Sequence, residues 1–252
     1  MSELLEEPIG KRGRGIYLLP NLFTLTALFA GFYSIVASAQ HNYETAAIAI
    51  FIAMIFDTLD GRVARLTNTQ TNFGAELDSL SDMVSFGVAP ALLCYHWSLY
   101  SLGKLGWLAA FIYTATVALR LARFNTRQTM DKRYFQGLAC DAGAGLVTAL
   151  VWLAVQQDIE GETMAFIIAL VNIAAGLLMA SSIPYRSFKD LSLQNRISFV
   201  VMTIVALVIV LIALDPPVIL FATFFLYALS GPVMRLLSTI KKRRSVHKPK
   251  DI

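Results

Sequence analysis

The chain has 252 residues, of which 56% are hydrophobic and 15% charged. A soluble domain carries about 25% charged residues, so this composition excludes an ordinary water-soluble domain and points to lipid as the solvent. The formal net charge is a modest +4, no nucleic-acid partner is expected, and the two cysteines, Cys94 and Cys140, form no disulfide or CxxC pattern.

Residues 1–16 read as a polar surface segment, and no cleavable signal peptide is expected there. A bilayer-spanning helix needs about 20 mostly apolar residues. Eight stretches qualify as candidates: Tyr17–Ser38, Thr45–Leu66, Leu80–Leu102, Leu105–Phe124, Leu138–Gln156, Met164–Ser182, Ile197–Leu214 and Val218–Leu237. Short connections join them, so residues 17–240 are expected to form one membrane domain, followed by a basic tail at 241–252. The expected fold class is all-α: a polytopic membrane helix bundle with about eight transmembrane helices and both termini cytoplasmic.

Charge supports the even count. With eight spans, 20 of the 21 basic residues fall on one side, and only Lys104 falls on the other. Basic loops stay in the cytoplasm, so that side is expected to face inward across the cell (inner) membrane. A basic face also attracts anionic headgroups and nucleotide phosphates.

Chemistry concentrates where the second span ends and the third begins. Asp57 and Asp60 are three residues apart, and Asp78 and Asp82 are four apart, so each pair lies on one helical face. The helices are consecutive, which lets four carboxylates converge near the cytoplasmic boundary. Crowded buried carboxylates repel, and binding cations is the least costly way to keep them ionised. Oxygen ligands favour Mg²⁺ or Mn²⁺, with Ca²⁺ also compatible, over zinc. Two divalent ions balance four negative charges and suit displacement at phosphorus. Gly61, Ala64 and Gly74 keep the neighbouring surface open, and Arg65 offers a donor fork for phosphate oxygens. Intramembrane acids also form proton or ion pathways, so an ion-coupled transporter stays open on spacing alone. The three histidines do not cluster, and no P-loop is present.

Together these residues read Asp57-x2-Asp60-Gly61-x2-Ala64-Arg65-x8-Gly74-x3-Asp78-x3-Asp82. The run resembles the signature of the CDP-alcohol phosphotransferase family at every fixed position, and the likeness extends from Pro20-Asn21 to about Lys189. The resemblance implies that Asp57, Asp60, Asp78 and Asp82 hold two metal ions and that Asp82 is the general base. It further implies a CDP pocket shaped by Gly61, Ala64, Arg65 and Gly74, with Asn21 and Thr24 contacting the nucleotide. A homodimer is also implied.

The run Leu77-Asp78-Ser79-Leu80-Ser81-Asp82-Met83-Val84-Ser85-Phe86-Gly87 resembles the bacterial and archaeal phosphatidylserine synthase branch, as do Arg120-Leu121-Ala122-Arg123-Phe124-Asn125 and Tyr134-Phe135-Gln136-Gly137-Leu138. On that likeness the substrates are CDP-diacylglycerol and L-serine. Glycerol 3-phosphate, inositol phosphate and choline are the alternative acceptors. Two prolines usual in that branch are replaced by Ala139 and Asp141, and Asp141 is a candidate helix cap or amine partner. A serine carboxylate needs a fixed cation, and Arg120, Arg123, Arg186 and Lys189 are the candidates for it or for the lipid phosphates.

Overall fold

The structure, a computed structural model, describes residues 18–67, 69–126, 134–186, 203, 207, 210 and 213–246. The expected 1–16 segment, Lys189 and nearly all of the seventh candidate span lie outside the described residues. Eight α-helices are described: α1 (Leu18–Ala39), α2 (Tyr43–Thr67), α3 (Asn72–Asp82), α4 (Ala89–Trp97), α5 (Lys104–Thr126), α6 (Cys140–Gln156), α7 (Ala165–Ala180) and α8 (Pro216–Val246). A π-helical segment, Met83–Val88, joins α3 to α4, and a 3-10 turn, Leu99–Leu102, leads towards α5.

The burial pattern inverts that of a soluble protein. Small residues face inward: Ala27, Ala30 and Ala37 of α1 are buried, as are Ala46, Ala47, Ala49 and Ala53 of α2. Large apolar residues of α1 face outward, among them Leu22, Leu25, Phe29 and Phe32. In lipid, helices associate through close packing of small residues rather than by hiding leucines from water. Four stretches are long and apolar enough to cross a bilayer: Leu19–Ala39, Asn72–Trp97, Lys104–Thr126 and Pro216–Leu236. α6 and α7 are shorter, at 17 and 16 residues, while α2 carries the acids and arginines of the motif. The protein is therefore an integral membrane protein built as a helical bundle.

The third candidate span needs correction. Its helix starts at Asn72, not Leu80, and ends at Trp97, not Leu102. Thr71 makes the earlier start possible, because its Oγ1 accepts a hydrogen bond from the Gly74 amide at 3.0 Å. At the other end, Ser98 leaves helical geometry and Gly103 takes a positive φ of 55°. Asp78 therefore sits inside the helix rather than ahead of its start.

Pro90 follows the π segment and has no amide hydrogen to offer the preceding turn. The Phe86 carbonyl, four residues earlier, instead accepts a hydrogen bond from the buried Tyr113 hydroxyl of α5 at 3.0 Å. The Ser81 and Ser85 hydroxyls donate to the Thr24 and Ala27 carbonyls of α1 at 3.2 and 3.1 Å. Gly31 of α1 has no room for a side chain, because a Cβ there would lie 2.7 Å from the Ser85 Cα.

The all-helical expectation gains one exception, a two-stranded ribbon. β1 (Tyr134–Gln136) pairs antiparallel with β2 (Pro184–Arg186), with Phe135 opposite Tyr185. It ties the chain after α5 to the chain after α7, at the end of the bundle that holds the acids. Buried Tyr185 anchors it to α8 by donating to the Ala228 carbonyl at 2.9 Å. α6 is buried along most of its length and packs against α2, α4, α7 and α8.

Candidate metal centre

The acid motif folds as its spacing requires. Asp57 and Asp60 project from the last turns of α2, and Asp78 and Asp82 from α3. Ligand oxygens of Asp57, Asp60 and Asp78 all lie within 4.8 Å of one another. Asp57 is also within hydrogen-bond reach of both Asp78 and Asp82, which brings the fourth carboxylate to the cluster's inner edge.

The charge balance of this cluster is incomplete. Oδ1 of Asp78 and Oδ1 of Asp82 are buried with no hydrogen-bond partner among the described residues. A buried carboxylate oxygen without a donor is costly unless a cation meets it. Four carboxylates with two orphaned oxygens form a donor set that fits hard divalent cations.

The surroundings divide into groups that orient the acids and groups that stay free. Thr24 and Asp60 are 4% and 6% exposed, and the Thr24 Oγ1 donates to Asp60 Oδ2 at 2.7 Å. Thr24 thus acts on the carboxylate cluster through Asp60. Asn21 lies against Gly74, where an added Cβ would be 3.2 Å from both Asn21 Oδ1 and Thr71 Oγ1. At Gly61 the nearest atom to an added Cβ is Arg65 Nη2, 3.9 Å away, so the surface there is open under the guanidinium. Arg65 is exposed and within electrostatic reach of Asp60, and Ala64 is half-buried beside it.

The acceptor candidates separate. Arg120 Nη1 donates to the Gln136 carbonyl at 2.8 Å, and Arg123 Nη2 donates to the Ala180 carbonyl at 3.0 Å. Both therefore brace the loops that cap the acid end. Arg186 contributes backbone to β2 opposite Tyr134. Asp141 does not cap α6: the cap residue is Ala139, and Asp141 sits in the first turn.

Two partnerships were absent from the sequence reading. Ser79, next to Asp78, bonds with Asn125 at the end of α5, with Nδ2 donating to Oγ at 3.1 Å. The Ser81 and Ser85 bonds to α1 hold the acid-bearing helix in register. The four-residue interval between those serines places both hydroxyls on one face, but nothing local names α1 as their partner. Glu76 is exposed and stands apart from this network.

Comparison with known proteins points the same way. A CDP-diacylglycerol–serine O-phosphatidyltransferase of Helicobacter pylori is 38% identical over 197 residues, covering 77% of this chain and 83% of its own. The protein of that name from Mycobacterium bovis is 30% identical over 230 residues, covering 89% and 80%. That of Bacillus subtilis is 31% identical over 177 residues, covering 70% and 94%. A sequence model of CDP-alcohol phosphatidyltransferases matches residues 17–179, which include every aspartate of the cluster. With its acid motif, its converged carboxylates and these relatives, the chain belongs to the CDP-alcohol phosphatidyltransferase family.

Proposed function

We propose that the protein transfers the phosphatidyl group of CDP-diacylglycerol to L-serine, giving phosphatidylserine and CMP. The observation that carries this reading is the cluster of Asp57, Asp60 and Asp78 within 4.8 Å, with orphaned buried oxygens on Asp78 and Asp82. The serine assignment draws on the relatives, three of which carry that substrate in their names. Family membership, rather than carboxylate spacing, decides against an ion pathway.

Asp57, Asp60, Asp78 and Asp82 would hold two divalent cations, Mg²⁺ or Mn²⁺. When bound, these supply charge neutralisation for the pyrophosphate and acidity for the acceptor hydroxyl. The residues of the chain do the rest. Asp82 takes the proton of the serine hydroxyl. The freed oxygen attacks the phosphorus that bears diacylglycerol. The bond from that phosphorus to the CMP oxygen breaks, and CMP leaves with the bonding electron pair. Arg65, exposed beside open Gly61, holds the charge on the departing nucleotide. Asn21, Ala64 and Gly74 line the nucleotide's approach, and Thr24 keeps Asp60 aimed. Arg120 and Arg123 fix the loops around the acceptor or lipid phosphate, with Arg186 and Lys189 on the same basic side.

In this reading residues 17–240 are the catalytic membrane domain, flanked by a surface segment at 1–16 and a basic tail at 241–252. The active site faces the cytoplasm from the inner membrane, and the enzyme works as a homodimer. The test is CMP release by purified protein with CDP-diacylglycerol, Mn²⁺ and a panel of acceptors. Serine is expected to drive release, while glycerol 3-phosphate, inositol phosphate and choline do not. Release driven by one of those three and not by serine would overturn the acceptor assignment.

A further inference from the structure

α2 and α3 carry the two halves of the carboxylate cluster, yet they scarcely pack on each other. Each packs on α1 instead. The gap between the Asp57–Asp60 pair and the Asp78–Asp82 pair is therefore set by how α1 spaces its two neighbours. One residue of α1, Thr24, bonds to both. Its Oγ1 donates to Asp60 Oδ2 at 2.7 Å, and its carbonyl accepts from Ser81 Oγ at 3.2 Å. The same Thr24 hydroxyl lies 3.2 Å from the Pro20 carbonyl, and the shorter, charge-assisted contact to the carboxylate takes its hydrogen. Ser81 directly precedes Asp82 and lies one helical turn from Asp78, so its anchor fixes where both acids stand.

Asp60, Thr24 and Ser81 thus form a polar chain across three helices, and all three are buried. A buried hydrogen bond is costly to leave unmade, so the chain resists stretching. The span it holds is short: ligand oxygens from both helices lie within 4.8 Å of one another. Mg²⁺ takes oxygens at about 2.0–2.1 Å in near-ideal octahedral geometry, whereas Ca²⁺ takes them at about 2.3–2.6 Å and accepts irregular sites. An ion held from both helices makes a bond on each side, so the larger ion needs a gap wider by about half an ångström or more.

Resting on the metal reading above, we propose that Ser81 is a positioning residue that, through Thr24, fixes the spacing of the two acid pairs and biases the site towards Mg²⁺ and against Ca²⁺. Its removal leaves every ligand residue in place. Ser85 supplies the control. It is equally buried and donates to the same helix, at the Ala27 carbonyl 3.1 Å away, but among the described residues no side-chain hydrogen bond joins Ala27 to an acid.

The experiment compares full-length Ser81→Ala, Ser81→Cys and Ser85→Ala with the parent, in detergent micelles containing CDP-diacylglycerol. Bound Mn²⁺ is read as loss of the electron paramagnetic resonance signal of the free ion, and Mg²⁺ and Ca²⁺ are titrated as competitors. Ser81→Ala should shift the ratio of the two competition constants towards Ca²⁺ by about two- to tenfold, the factor that one net hydrogen bond corresponds to. Ser81→Cys keeps the shape with a weaker donor and should shift it less; it decides the matter if Ser81→Ala does not fold. Ser85→Ala should keep the ratio of the parent. An unchanged ratio in the Ser81 variants overturns the proposal, as does an equal weakening of both ions. An equal shift in Ser85→Ala also overturns it, because any tie to α1 would then serve. If the parent binds no Mn²⁺, the metal reading and this proposal fail together. If the parent binds it and the Ser81 variants keep its ratio, only this proposal fails.

Discussion

Replacing Thr24 with valine removes one hydroxyl and little volume. That hydroxyl donates to Asp60 Oδ2 at 2.7 Å, and both residues are almost fully shielded from solvent. A hydrogen bond to an ionised group contributes about 1.5–3 kcal/mol. At about 1.4 kcal/mol per decade this is a ten- to hundredfold effect. Partners that orient metal ligands cost about 10–100-fold in metal affinity when removed, an independent route to the same range. Asp60 keeps a backbone hydrogen bond from Gly61 and the field of Arg65, so the lower end, about tenfold, is expected. The assay is CMP release against Mn²⁺ concentration at saturating CDP-diacylglycerol and serine. Thr24→Val should raise half-saturating Mn²⁺ about tenfold, and Thr24→Ser should restore it. An unchanged Mn²⁺ curve would refute the argument. So would a raised KM for CDP-diacylglycerol alone, which would place the hydroxyl on the nucleotide.

Asp82→Asn should lower kcat by about 10²–10⁴, the usual worth of a general base, while the far-ultraviolet circular dichroism stays that of the parent. Gly31→Val drives a side chain into the Ser85 backbone and should cost about 1–3 kcal/mol, read as a lower thermal midpoint in detergent. Tyr113→Phe leaves the Phe86 carbonyl without its donor beside Pro90 and should cost about 1–3 kcal/mol in the same assay, with both KM values unchanged.

Much of this site is legible in the sequence because it is built from local periodicity. Intervals of three and four place each aspartate pair on one helical face, and consecutive helices then have little choice but to present them together. The bounds of α1, α2 and α5 follow from runs of apolar residues, which any span must have. The start of α3 does not, because Asn72 to Ser79 is too polar to resemble a span. That segment is helical because Thr71 caps it and because Ser81, Ser85 and Asn125 tie it to α1 and α5. Such ties join residues 46 to 58 positions apart, and no local pattern encodes them. The β1–β2 ribbon escaped for the same reason, being three residues long on each side and non-local. Trp97, an aromatic near a span end, is 6% exposed, with its carbonyl packed against Gly161. An aromatic near a span end reads the same from sequence whether it faces lipid or protein. The Thr24–Asp60 bond depends on how α1 and α2 align, which tertiary packing alone decides.

The wide turn at Met83–Val88 fixes a phase. An α-helix advances about 100° per residue, and a π turn absorbs one extra residue into a single circuit. Upstream of it, Asp78 and Asp82 aim at their cluster; downstream, Leu93, Cys94 and Trp97 aim into the apolar interior. Because the additional residue is taken up within one circuit, both halves keep the phase they would have across a regular α-turn. Deleting one residue between Asp82 and Pro90 would tighten the wide turn to an α-turn and leave both faces in place, whereas the same deletion within α3 or α4 would swing one half by roughly 100° against the other. The wide turn is thus the point at which this helix tolerates a change of length.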